Sequence, residues 1–110
     1  MNELIRPSFY EAFHEIVPLK RKRGKSIATD VVGPICESGD TFCKNRLLPP
    51  VKEGDHLALL SAGAYAFTMA SNYNTRPMPA EVLVQGAEHV VIRKRQQTRS
   101  LFRGESLPEW

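Results

Sequence analysis

Turn-forming residues interrupt this chain at short intervals and set the scale of everything it can build. They fall at Arg-Pro 6–7, Pro18, Gly24, Gly-Pro 33–34, Ser-Gly-Asp 38–40, Pro-Pro 49–50, Glu-Gly-Asp 53–55, Arg-Pro-Met-Pro 76–79 and Gly86. The runs between them at 26–32, 56–62, 64–69, 80–84 and 89–94 have the length and the aliphatic or aromatic content of strands. The last two, flanking Gly86, predict two strands joined by a tight turn. Short strands without long intervening helices predict a mainly β fold, a small antiparallel barrel or sandwich with short helical segments. In 9–17, Phe9, Ala12, Phe13, Ile16 and Val17 fit a helical spacing, yet Pro18 closes the run as it would a strand, so a helical turn passing into a strand is expected. A short basic helix is expected within 95–103.

A chain of 110 residues is about one small domain. Its 42% hydrophobic and 25% charged content is that of a folded protein rather than a disordered one. No run approaches the roughly 18 apolar residues of a membrane span, and the first residues carry no signal-peptide pattern, so a cytoplasmic protein with no membrane association is expected. Cys36 and Cys43 are then reduced thiols. Their spacing, with His14, His56 and His89 scattered, matches no usual zinc pattern, and no metal site is expected. The 15 Lys and Arg against 12 Asp and Glu concentrate in 20–25 and 93–99. Neither run interleaves aromatics with its charges, which argues against nucleic acid as a partner.

Three groups of residues carry chemistry. Arg6 and Tyr10, four apart, share a face in helix or strand, and a guanidinium beside a phenol can hold a carboxylate. An arginine packed over a tyrosine ring satisfies the same spacing and is the commoner arrangement. Cys36 and Glu37 sit in a turn between Gly-Pro and Ser-Gly-Asp. A thiol beside a carboxylate suits proton donation better than nucleophilic attack, although most free cysteines are simply buried. Around Tyr65, the small residues Ala62, Gly63, Ala64 and Ala66 leave room for a ligand or for another backbone to approach closely.

Taken together, "NELIRPSFYEAFHEI", "VVGPICESGD" and "EGDHLALLSAGAYAFTMASNYNTRPMPAEVLV" resemble, in order and spacing, the C-terminal part of bacterial diaminopimelate decarboxylases. These belong to the alanine racemase-like decarboxylases that use pyridoxal 5'-phosphate. The resemblance runs from residue 1 to about 84, and Cys-Glu-Ser separates it from the ornithine decarboxylases, which carry Cys-Asp here. It implies the C-terminal β domain of a two-domain enzyme, a TIM barrel plus a β barrel, with residues 1–94 as the β domain and 95–110 as a basic tail. It further implies decarboxylation of meso-diaminopimelate to L-lysine and carbon dioxide. By the resemblance, Cys36 is the acid that returns a proton to the substrate, and Glu37 binds the distal amino group. Arg6 and Tyr10 hold the distal carboxylate, and Tyr65 lies at the cofactor and substrate. The resemblance also implies a homodimer in which the Cys-Glu segment reaches the partner's cofactor.

Eight βα units cannot fit in 110 residues, so the TIM barrel with its cofactor-binding lysine and phosphate site is expected to lie outside this chain. The chain is therefore expected to be a fragment that is inactive alone. Two other readings are a non-catalytic β module that mediates dimerisation or another interaction, and a basic nucleic-acid-binding β barrel.

Overall fold

The computed structural model describes all 110 residues, Met1–Trp110. Ten short elements follow one another: helix α1 (Arg6–Tyr10), strands β1 (Ile16–Pro18), β2 (Ile27–Val32), β3 (Thr41–Leu48) and β4 (Leu57–Leu59), helix α2 (Gly63–Ala66), a 3₁₀ turn (Tyr73–Thr75), strands β5 (Glu81–Gln85) and β6 (Glu88–Arg93), and helix α3 (Thr98–Leu101). The fold is mainly β, with antiparallel pairing throughout and helices of about one turn. The strands pair as three two-stranded ladders, β1 with β4, β2 with β3 and β5 with β6. Contacts divide the chain into two units, Glu3–Ala70 with Met1 and Ser71–Trp110 with Asn2.

In the first unit, Ile16, Cys43 and Leu48 form the buried core, with Val31, Phe42, Leu57 and Leu59 packed against it. One face each of β1–β4 and β2–β3 meets there. In β1–β4, Ile16 stands opposite Leu59 and Pro18 opposite Leu57, and Leu19 N–H to His56 O and Leu60 N–H to Glu15 O extend the pairing beyond both ends. His14 is fully buried at this edge, and its Nδ1 donates to Leu60 O at 3.0 Å. The longer ladder carries a bulge: the register shifts after Thr29, Asn45 takes a left-handed φ of 51°, and its N–H bonds Asp30 Oδ1 at 2.6 Å. An Asn tolerates that backbone better than most residues, and its short side chain explains why the bulge sits there. In the loop before β4, Asp55 takes Lys52 N–H at 2.9 Å and pairs with Lys22, whose ammonium holds that carboxyl below its ordinary value.

Two sequence expectations need correcting. Residues 64–69 are not a strand: α2 covers Gly63–Ala66, and Met69 N–H bonds Tyr65 O at 3.2 Å, continuing helical turns. Alanines at 62, 64 and 66 favour helix, and there is no β-branched residue before Thr68 to oppose it. The run 56–62 yields only the three-residue β4, because Ser61 turns the chain with a φ of 55°. Conversely β3, the longest strand, is masked in the sequence: the polar Lys44-Asn45 pair breaks its alternation at the bulge.

In the second unit, β5 and β6 form the hairpin expected around Gly86, whose φ is 60°. Val82 pairs with Val91 and Leu83 with Val90, so both faces of the hairpin carry aliphatic side chains. Val84 is 65% and Ile92 61% exposed. A two-stranded hairpin is marginal alone, and contiguous apolar surface drives association. The isolated chain should accordingly self-associate, with sedimentation coefficients that rise with concentration. Val84→Lys with Ile92→Lys should reduce that association while changing folding stability by no more than about 0.5 kcal/mol each, as exposed sites do. A dilute, clean monomer with no response to these changes would contradict the assignment of the hairpin as the associating surface.

Candidate functional site: a locked loop and an arginine face

Residues 33–40 leave β2 and re-enter at β3 through a loop closed by its own backbone. Gly33 N–H donates to Asp40 O at 2.7 Å, and Asp40 N–H to Glu37 O at 2.9 Å. The Asp40 carboxylate folds back into the loop, is 2% exposed, and accepts Ile35 N–H at 2.7 Å together with the Met1 ammonium. A buried carboxylate is tolerable only when its oxygens are matched, and the loop's own Ile35 N–H does that here. Gly33 leaves the space that this carboxylate fills, because a Cβ built there would overlap its oxygens. Ser8 on α1 donates its hydroxyl to Gly39 O, tying helix to loop. Thus the glycine and the aspartate at the two ends of the motif make one lock.

What the lock presents is the middle of the loop. Cys36 is exposed whereas Cys43 is buried in the core. Glu37 is also exposed, with Oε1 accepting Gly39 N–H at 3.0 Å, which fixes the carboxylate toward the loop tip. The two side chains therefore lie on an accessible, hydrogen-bonded turn.

Arg6 and Tyr10 occupy the two ends of α1, which opens with Pro7 in its first turn and ends at Glu11 with a left-handed φ of 55°. The Arg6 guanidinium lies 5.1 Å from the ring centroid of Tyr65 on α2. That contact is a cation–π one and forms no ion pair, and a guanidinium carries N–H donors that can meet a carboxylate. Tyr10 is 58% exposed and meets Phe9 edge-on at 4.8 Å. The structure thus brings Arg6 to Tyr65, keeps Tyr10 on the same short helix, and holds Cys36 with Glu37 on the separate loop. A concavity of about 390 Å³ between α1 and β3, lined among others by Ser8, Glu11, Ser38 and Lys44, contains none of these five residues. No cluster of His, Cys, Asp and Glu is arranged for a metal ion, and no helix is long and apolar enough to cross a membrane.

Asp40, Gly33 and Ser8 are the residues that the sequence-based reading missed as site-builders. Asp40 and Gly33 stood in plain view as turn formers, and only burial distinguishes a turn-marking aspartate from one locked inside the loop.

The chain's first 63 residues match the family model described as the pyridoxal-dependent decarboxylase, C-terminal sheet domain. A diaminopimelate decarboxylase of Zymomonas mobilis is 48% identical over 110 residues, covering 100% of this chain and 26% of that protein. One from Aquifex aeolicus is 52% identical over 96 residues, covering 87% of this chain and 23% of its own length. Among solved structures, the Helicobacter pylori diaminopimelate decarboxylase complexed with L-lysine superposes with a TM-score of 0.85 at 43% identity, covering 94% of this chain and 25% of that one. The chain spans about a quarter of the length of the curated relatives it matches.

The lock makes two glycines behave oppositely. Gly33→Ala should destabilise the first unit by about 1–3 kcal/mol, as overpacking does, because the carboxylate must be displaced. Gly63→Ala meets nothing within 4 Å and should be neutral or stabilising by up to about 1 kcal/mol on helical propensity. Urea melts of the two variants measure this, and an unaffected Gly33→Ala would contradict the lock.

Proposed function

Because the chain belongs to the pyridoxal-dependent decarboxylases, whose C-terminal sheet domain it carries, we propose that it forms the C-terminal part of an enzyme that converts meso-diaminopimelate to L-lysine and carbon dioxide. The observation that carries this reading is the exposed Cys36 on a loop locked by Asp40: a thiol held in place, outside the core, where it can deliver a proton. The Helicobacter relative's complex with L-lysine, the product of that reaction, supports the same substrate class.

No lysine in this chain fits the role of covalent cofactor anchor. Lys20, Lys25, Lys44, Lys52 and Lys94 are exposed, and Lys22 is ion-paired with Asp55, so none is desolvated as such an anchor must be. We place the anchor and the phosphate site in a TIM barrel, within the three-quarters of the relatives that this chain does not span. When bound, pyridoxal 5'-phosphate supplies the sink for the electron pair left as the bond to carbon dioxide breaks.

This chain's residues do the rest. Cys36 gives its Sγ proton to the α-carbon and is reprotonated from solvent. Glu37 accepts hydrogen bonds from the distal ammonium through the oxygen not engaged by Gly39. Arg6 holds the distal carboxylate with two parallel N–H bonds, Tyr10 donates its hydroxyl to the same group, and Tyr65 packs against the guanidinium while bordering the cofactor. Arg6 and Cys36 stand on separate supports, and a homodimer in which the Cys-Glu loop completes the partner's site reconciles them. The complete enzyme is read as cytoplasmic.

A fusion of this chain to the remaining three-quarters of the Zymomonas mobilis relative provides the assay. Arg6→Lys should raise KM for diaminopimelate about ten- to a hundredfold, the cost of one lost charge-assisted bond, although the positive charge is kept. Tyr10→Phe should act in the same direction and more weakly, and the double variant should lose less than the sum. An analogue lacking the distal carboxylate should be a poor substrate for the parent and almost indifferent to Arg6→Lys. Equal losses with both compounds would place Arg6 in the scaffold instead.

A further inference from the structure

Beyond the proposed reaction, we infer that the C-terminal segment of the second unit is a binding site for a small polyvalent phosphate anion, the oligophosphate group of a nucleotide or a free oligophosphate. Arg95, Arg99 and Arg103 line one concavity of about 500 Å³, with Gln96, Gln97 and Ser100 completing it and no acidic side chain in its wall. That volume lies in the range of small-molecule sites.

The three guanidinium groups are uncompensated. The ion pairs of the chain are Met1–Asp40, Lys22–Asp55 and Arg93–Glu81, and none includes them. The neighbouring Arg93 shows the contrast, since the same basic run spends it on Glu81. Three like charges facing one concavity repel one another, and an anion between them converts that repulsion into attraction. Arginine is suited to it, because its planar fork meets phosphate oxygens two at a time.

One residue of its wall is held in place. Gln96 Oε1 accepts Asn72 Nδ2 at 2.7 Å and Met78 N–H at 2.9 Å, and Gln96 N–H donates to Met78 O at 3.0 Å. Next to it, Gln97 Oε1 accepts Arg99 Nε at 2.7 Å, aiming that guanidinium while leaving its terminal nitrogens free. Ser100 closes the turn by donating its hydroxyl to Gln97 O at 2.6 Å. An anchored glutamine, an oriented arginine and two further arginines four residues to either side make a cradle, unlike the run at 20–25, where Lys22 is committed to Asp55.

Calorimetric titration of the 110-residue chain with sodium tripolyphosphate tests the inference. One anion should bind per chain, and binding should weaken steeply as salt rises from about 50 to about 200 mM. Arg99→Gln and Arg103→Gln should each lower affinity about tenfold or more. Arg23→Gln, which removes the same charge from the other basic run, should change it less than about twofold, and circular dichroism confirms that all three stay folded. ATP should bind like tripolyphosphate if the phosphate chain is what is recognised, and tighter if its base also makes contact; adenosine should not bind. Equal losses in Arg23→Gln and Arg99→Gln, binding of adenosine, tighter binding of a single-stranded oligonucleotide than of tripolyphosphate, or no saturable binding would each overturn it.

Discussion

The Asp40 carboxylate, buried inside its own loop, is the interaction on which the site depends. Burying a carboxylate costs several kcal/mol unless its oxygens are matched, so the loop favours the form that brings Ile35 N–H to it. Gly33 is the steric counterpart, the one position where any side chain would evict the carboxylate. Backbone bonds from Gly33 and Asp40 then close the loop at its neck, where β2 and β3 end. The consequence falls on the side chains at the tip: Cys36 and Glu37 are carried on the outside of a loop closed by these bonds. In this way an exposed thiol gains a fixed position without being buried.

The same division of labour runs through the first unit. Its small core, Ile16, Cys43 and Leu48 with their neighbours, joins two short ladders and places the β2–β3 loop beside α1. The two cysteines illustrate the split. Cys43 fills space in the core like any small apolar residue, and Cys36 is held away from it. On α1, Arg6 packs over the ring of Tyr65 rather than against a carboxylate.

Much of this was legible in the sequence because the signals were local. Gly86 between two aliphatic runs announced the β5–β6 hairpin, and the density of Pro and Gly announced short antiparallel strands. The family was readable because several motifs stood in register, and relatives at 48–52% identity agree. What escaped was non-local. Strand β3 hides behind a bulge whose partner, Asp30, lies on another strand. Residues 64–69 looked extended by their aromatic content, yet their alanines and the turn at Ser61 let them coil. Asp40 is indistinguishable from any turn aspartate until its burial is known, and the contact of Arg6 with Tyr65 joins elements that the sequence keeps far apart.

The central claim is that the locked loop exists to deliver the Cys36 proton. Cys36→Ala in the fusion with the Zymomonas mobilis segment tests it most directly, by following carbon dioxide release at saturating diaminopimelate. The account predicts a fall in kcat of roughly a hundred- to ten-thousandfold, the usual loss of a general acid, with KM changed little and the urea melt unmoved because the side chain is exposed. An unchanged kcat would contradict it and return Cys36 to the ranks of surface cysteines.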